Sequence, residues 1–195
     1  MSAVPAEGGF DLLVGLGSDP VLVWVVRSFL ALVFVRALVA KLRSPAHFVS
    51  AIRGYELLPT ALSGLVAVFL LAAELAVVPA LLVPALARGA CLGAGALLLL
   101  YAGAMGINLA RGRRDVDCGC AGPAKRQAVH EWLLARNLLY VAMAWLGAAS
   151  PGVRSLAWLD GVTIVLAVVS LGVLAIAFDA LAALAPSPSR AGGRA

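Results

Sequence analysis

The chain has 195 residues, 63% of them hydrophobic and only 13% charged, with a mean hydropathy of +1.00 and a formal net charge of +5. A soluble domain is nearer half apolar and a quarter charged, so this balance excludes an ordinary globular domain and points to an integral membrane protein. No basic stripe is interleaved with aromatics, which excludes nucleic acid as a partner and leaves the lipid bilayer as the one that composition implies.

Residues 1–20 carry Glu7, Asp11 and Asp19 but no Lys or Arg, the opposite of a basic signal-peptide start, and are expected to form an extracytoplasmic N-terminal segment. Five stretches then reach the roughly 20 apolar residues that a crossing requires. They are 21–41, 59–84, 89–109, 131–149 and 159–184. The fold class is therefore all-α, a polytopic membrane helical bundle over residues 21–184, with four crossings as the alternative count. Pro79 and Pro84 are placed to kink or end the second span, since proline removes a helix hydrogen bond. The second and third spans follow so closely that they should form a helical hairpin. The abundant Ala and Gly suit close helix packing. Residues 185–195, rich in Pro, Ser, Gly and Arg, read as a disordered tail.

The charges alternate between the two sides. Lys41, Arg43 and Arg53 follow the first span, Arg111, Arg113, Arg114, Lys125 and Arg126 follow the third, and Arg190 and Arg194 lie in the tail. By the positive-inside rule the N-terminus is outside and the loop over residues 110–130 is cytoplasmic. The first of these loops is expected to form a short interfacial amphipathic helix with Phe48, Ile52 and Leu57 on one side, and His47 reads there as an interfacial residue.

The loop over 110–130 holds Cys118-Gly119-Cys120. Two thiols one residue apart can be reduced, joined as a disulfide or bound to a soft metal. Arg113, Arg114, Lys125 and Arg126 favour a reactive thiolate, whereas Asp115 and Asp117 oppose it. Gly119 supplies the backbone freedom that so short a cross-link requires, and strain would keep such a disulfide exchangeable. Two alternatives stand beside redox exchange. The thiols are functionless, or they bind copper(I) or zinc with His130 as a third ligand. Cys91, about 27 residues earlier, belongs near the opposite membrane face at 1.5 Å per residue and reads as a small packing residue.

Ionisable residues inside spans need partners. Counting depth from the span ends sets Arg27 level with Glu74 as an intramembrane ion pair. It also brings Arg36, Arg136 and Asp179 together beneath the cysteine loop, with Asn137 capping the cluster and headgroup snorkelling as the competing reading for the arginines. No phosphate-binding loop, paired-histidine metal helix or Ser/His/Asp set appears.

Two segments together resemble the MauE/DoxX group of redox-associated membrane proteins. The first runs from Arg27 and Arg36 into KLRSPAHFVSAIRGYELLP, and the second is INLARGRRDVDCGCAG followed by the RNLLY of residues 136–140. The DCGC element resembles the MauE branch. The Lys-Leu with Pro and Phe after span one, the Tyr-x-Leu-x-Pro-like entry to span two and Glu74 resemble DoxX. That resemblance implies a part in maturing the disulfide-rich subunit of methylamine dehydrogenase, beside a thioredoxin-like partner or a disulfide-bearing substrate protein. Ala121 departs from it, since an aromatic usually follows the second cysteine. The expected function is thiol–disulfide exchange through Cys118 and Cys120. The runner-up is a non-catalytic DoxX-type subunit of a respiratory assembly, which would bring quinone as its cofactor.

Overall fold

The computed structural model describes residues 19–113, 116–117, 131–152 and 155–184. They form helices α1 (Pro20–Arg43), α2 (Pro45–Gly54), α3 (Ser63–Leu82), α4 (Pro84–Ala110), α5 (Glu131–Gly147) and α6 (Trp158–Leu184), with a 3₁₀ turn at Thr60–Leu62 ahead of α3. No strand occurs among the described residues.

Local chemistry marks the helix starts. Asp19 caps α1, its carboxylate accepting from the Val21 amide at 2.8 Å and the Leu22 amide at 3.3 Å. Pro20, Pro45 and Pro84 each occupy a first-turn position, where the missing N–H costs nothing. Pro84 thus opens α4 one residue after α3 ends, giving the expected hairpin, while Pro79 stays inside α3.

Four helices, α1, α3 with its 3₁₀ turn, α4 and α6, are long and apolar enough to cross a membrane. The α5 helix has 17 residues, about 25 Å at 1.5 Å per residue, at the short end of the span range. Trp132 and Trp145 are exposed near its two ends, as in an interfacial aromatic belt. The chain is all-α and polytopic.

The main core is drawn from four helices: Phe29, Leu30 and Phe34 of α1, Leu81 of α3, Cys91, Ala94 and Leu98 of α4, and Tyr140, Val141 and Ala144 of α5. The seam between α4 and α5 is built from small residues; a Cβ on Gly95 would stand 3.6 Å from that of Ala144. Phe29 and Tyr140 meet edge to face with centroids 5.7 Å apart. The α6 helix lies outside this core against α1, where Gly172 permits close approach to Leu32.

The α2 helix forms where a short amphipathic helix is expected, but it ends at Gly54, before Leu57. It packs Phe48 against Ala67 and Leu70 of α3, with Ile52 alongside. The first turns of α3 therefore stand beside α2, and the end of α1 lies level with the middle of α3. Counting depth from level span ends therefore misplaces the expected Arg27–Glu74 pairing between α1 and α3.

Candidate functional site

That offset brings Lys41, near the C-terminus of α1, to Glu74. Their side chains are both fully buried and ion-paired. The Tyr101 hydroxyl of α4 donates to Glu74 Oε1 at 2.6 Å and lies 3.1 Å from Lys41 Nζ. The same ammonium stands 4.8 Å from the Phe48 ring centroid and 4.6 Å from that of Tyr101. A buried charge persists only when paired and hydrogen-bonded, and here carboxylate, phenol and two ring faces surround one ammonium. Glu74 Oε2 is buried without a hydrogen-bond partner among the described residues.

Two turns along the same face of α4, Asn108 is fully buried. Its amide donates to the Ala104 carbonyl at 3.1 Å and the Tyr55 carbonyl at 3.4 Å. The α4 helix then ends in a Schellman turn. Gly112, at φ +72°, donates its amide to the Leu109 carbonyl, and the Arg113 amide bonds the Asn108 carbonyl. A side chain at Gly112 would be strained, so this glycine sets the direction in which the chain leaves α4.

The departing chain is tied down before the cysteines. Arg113 bridges to Glu56 at 2.8 Å, and Glu56 itself sits at φ +50°. Val116 is buried in a cluster with Met105 and Leu133, flanked by Tyr55, Tyr101 and Leu109. Asp117 Oδ2 lies 3.4 Å from Nε2 of His47 on α2, with both side chains largely buried. This is ion-pair distance without hydrogen-bond alignment, an ion pair once the imidazole is protonated. Cys118, Gly119 and Cys120 follow directly in the chain. They lie outside the described residues, as do Arg114 and His130. Among the described residues no group of three potential metal ligands occurs.

The other sequence-derived residues fall into two places. Arg36 and Arg136 converge on Asp179, the first at 3.3 Å and the second in direct contact. With Trp132 against Phe178 at 5.7 Å, this joins α6 to α1 and α5. Asn137 is buried on α5, but among the described residues no hydrogen bond joins it to Asp179 or to the two arginines, so it does not cap the cluster as expected. Arg27 is not paired with Glu74. Its Nε donates to the Gly147 carbonyl at 2.9 Å and its Nη2 to the Ala149 carbonyl at 3.2 Å. The cation caps the C-terminus of α5, where unpaired carbonyls gather partial negative charge. Cys91 packs there too, its sulfur 3.0 Å from where a Cβ on Gly147 would lie. It is buried far from the Lys41 end, in keeping with a packing role.

Lys41, Tyr101 and the His47–Asp117 contact are the site features that sequence reasoning missed. The charge pattern assigns Lys41 to the loop after the first span, although its place in a Lys-Leu pair ending an apolar run is a usable signal.

Residues 19–150 match the family described as Methylamine utilisation protein MauE. The chain belongs to the MauE family. It is 42% identical over 126 residues to the Methylamine utilization protein MauE of Paracoccus denitrificans, covering 65% of this chain and 68% of that one. The counterpart in Methylorubrum extorquens is 34% identical over 144 residues, with 72% and 77% covered, and that of Methylophilus methylotrophus is 36% identical over 135 residues, with 69% and 71% covered. No solved structure matches. The MauE match takes in α1 to α5, the Lys41 cluster and the Cys-Gly-Cys motif, and it ends before α6.

Proposed function

We propose that this MauE-family chain is a membrane-embedded thiol–disulfide exchange protein acting through Cys118 and Cys120, in a role within methylamine utilisation like that named for its relatives. The observation that carries the reading is the position of the motif. Two thiols one residue apart lie inside the family-matched segment, directly after two residues fastened to the bundle by Val116 burial and the Asp117–His47 contact. A moored approach to an otherwise polar loop suits a reacting group better than an idle one.

The exchange balances without a further reagent. One motif thiolate attacks a sulfur of the partner's disulfide and expels the other partner sulfur as a thiolate, forming a mixed disulfide. The second motif thiolate then attacks the motif sulfur of that bond and releases the partner's second thiolate. The partner has gained two electrons and the motif ends as a Cys118–Cys120 disulfide. Run in reverse, the same steps oxidise a partner dithiol. A thioredoxin-like protein or a disulfide-bearing substrate fits either direction.

The test is mixed-disulfide trapping in native membranes with Cys118→Ser and Cys120→Ser. At least one variant is expected to hold a partner in a reducible adduct. Capture by neither, with wild-type function kept in both, would overturn the reading. The buried Lys41–Glu74 pair favours a second one, a non-catalytic DoxX-type subunit, for which Lys41 and Glu74 matter and the cysteines are dispensable.

A further inference from the structure

Arg36 meets Asp179 through a single Nη2 hydrogen bond at 3.3 Å, and its side chain is 51% exposed. A guanidinium carries five N–H donors, so among the described residues most of those of Arg36 bond nothing in the protein. Asp179 itself is held more closely by Arg136. Arg43 lies two turns further along α1, about 10 Å nearer its end at 1.5 Å per residue. It is exposed, and among the described residues its side chain has no hydrogen bond or ion pair. Leu32, Arg36 and Arg43 share one face of α1, since spacings of four and seven residues repeat the helix period. The α6 helix runs along that face in the same direction, with Gly172 against Leu32 and Asp179 against Arg36. Val35, Val39 and Leu42, set among these arginines, are exposed too.

We propose that this edge of α1, beside α6, binds the phosphate of an anionic phospholipid, with Arg36 and Arg43 as its cationic ligands. The separation of the two is one that arginine side chains can close around a phosphate, whose oxygens pair well with the guanidinium fork. Basic pockets between membrane helices take such headgroups on the side of the anionic leaflet. The depth is right for a headgroup. Trp132 is partly exposed and stacks on Phe178, next in the chain to Asp179, where an interfacial aromatic is expected. The same end of the bundle carries Arg53 and Arg113, and a basic end is the one that meets anionic lipid. The exposed valines and leucine favour a lipid over dissolved phosphate. An acyl chain covers them, whereas a dissolved anion gains nothing from them. The inference stands apart from the thiol-exchange reading, since it involves neither cysteine of the motif.

The experiment titrates the full-length chain, in a neutral detergent, with phosphatidylglycerol or phosphatidylcholine of the same acyl chains. Native mass spectrometry counts the lipid retained. Phosphatidylglycerol is expected to bind in preference. Arg36→Gln and Arg43→Gln should each weaken its binding about fivefold, the effect of about 1 kcal/mol per basic residue at a membrane surface. Phosphatidylcholine binding should not change, and the double variant should bring the two lipids level. Arg36→Lys and Arg43→Lys, which keep the charge, should keep the preference. Arg53→Gln, an exposed arginine on α2, should leave it unchanged. Inorganic phosphate at millimolar concentration should not displace the lipid. Both site arginines are exposed, so the variants should unfold with the parent in lipid-free detergent, and a lost preference then reports binding. A double variant that still prefers phosphatidylglycerol would overturn the proposal. So would a loss at Arg53 equal to that at Arg36, which is diffuse attraction, or displacement by inorganic phosphate, which marks a site for a dissolved anion.

Discussion

Lys41 and Arg27 ride on the same helix, both buried, about 21 Å apart at 1.5 Å per residue, and the bundle satisfies them in opposite ways. Lys41 faces a full carboxylate, a phenol and two aromatic rings. Arg27 faces backbone carbonyls at a helix end. The difference follows from side-chain chemistry. An ammonium is a compact point charge that needs a concentrated counter-charge, whereas a guanidinium fork can spread its donors over two carbonyls. One end of the bundle is therefore a charge pair that fails when half of it is removed. The other is a cap whose loss leaves main-chain carbonyls, not an opposite full charge, without a partner.

The largest effect is expected at Glu74. Glu74→Leu strands the Lys41 ammonium and should lower stability by about 3–5 kcal/mol, measured as thermal unfolding in detergent. Adding Lys41→Met should recover most of that loss, because no unpaired charge remains. Arg27→Met removes two charge-assisted hydrogen bonds without stranding an opposite charge, and should cost about 1.5–3 kcal/mol in the same assay. A loss at Arg27 as large as that at Glu74 would break the comparison. Gly147→Ala drives a methyl to 3.0 Å from the Cys91 sulfur and 3.3 Å from Val26 Cγ1. Such overpacking costs about 1–3 kcal/mol, and Cys91→Ala in the same chain should relieve part of it. The smallest change is expected for Arg36→Gln, since the Arg36 side chain is 51% exposed; the expected loss is below about 1 kcal/mol.

The apolar helices, the hairpin at Val83 and the meeting of Arg36, Arg136 and Asp179 were all legible in the sequence, because hydropathy and depth from a helix end suffice to place them. Glu74 was legible as a residue in need of a partner, but the partner was not. The packing of α2 beside the first turns of α3 shifts the depth scale, and no local pattern announces that shift. The partners of Arg27 are main-chain carbonyls, which carry no residue identity to read. His47 and Asp117 are far apart in sequence, and only the turn at Gly112 brings the chain back over α2. In each case what sequence lacked was the path of the chain between helices.

The proposed function makes Cys118 and Cys120 an exchanging redox pair. It is tested most directly by titrating their thiol–disulfide equilibrium in the purified Cys91→Ala protein against buffers of set potential, with alkylation of the remaining thiols as the readout. The account predicts two-electron interconversion in the range of known exchange proteins, roughly −120 to −270 mV. A pair that stays reduced throughout that range, or a disulfide that opens only below about −300 mV as structural ones do, would contradict it.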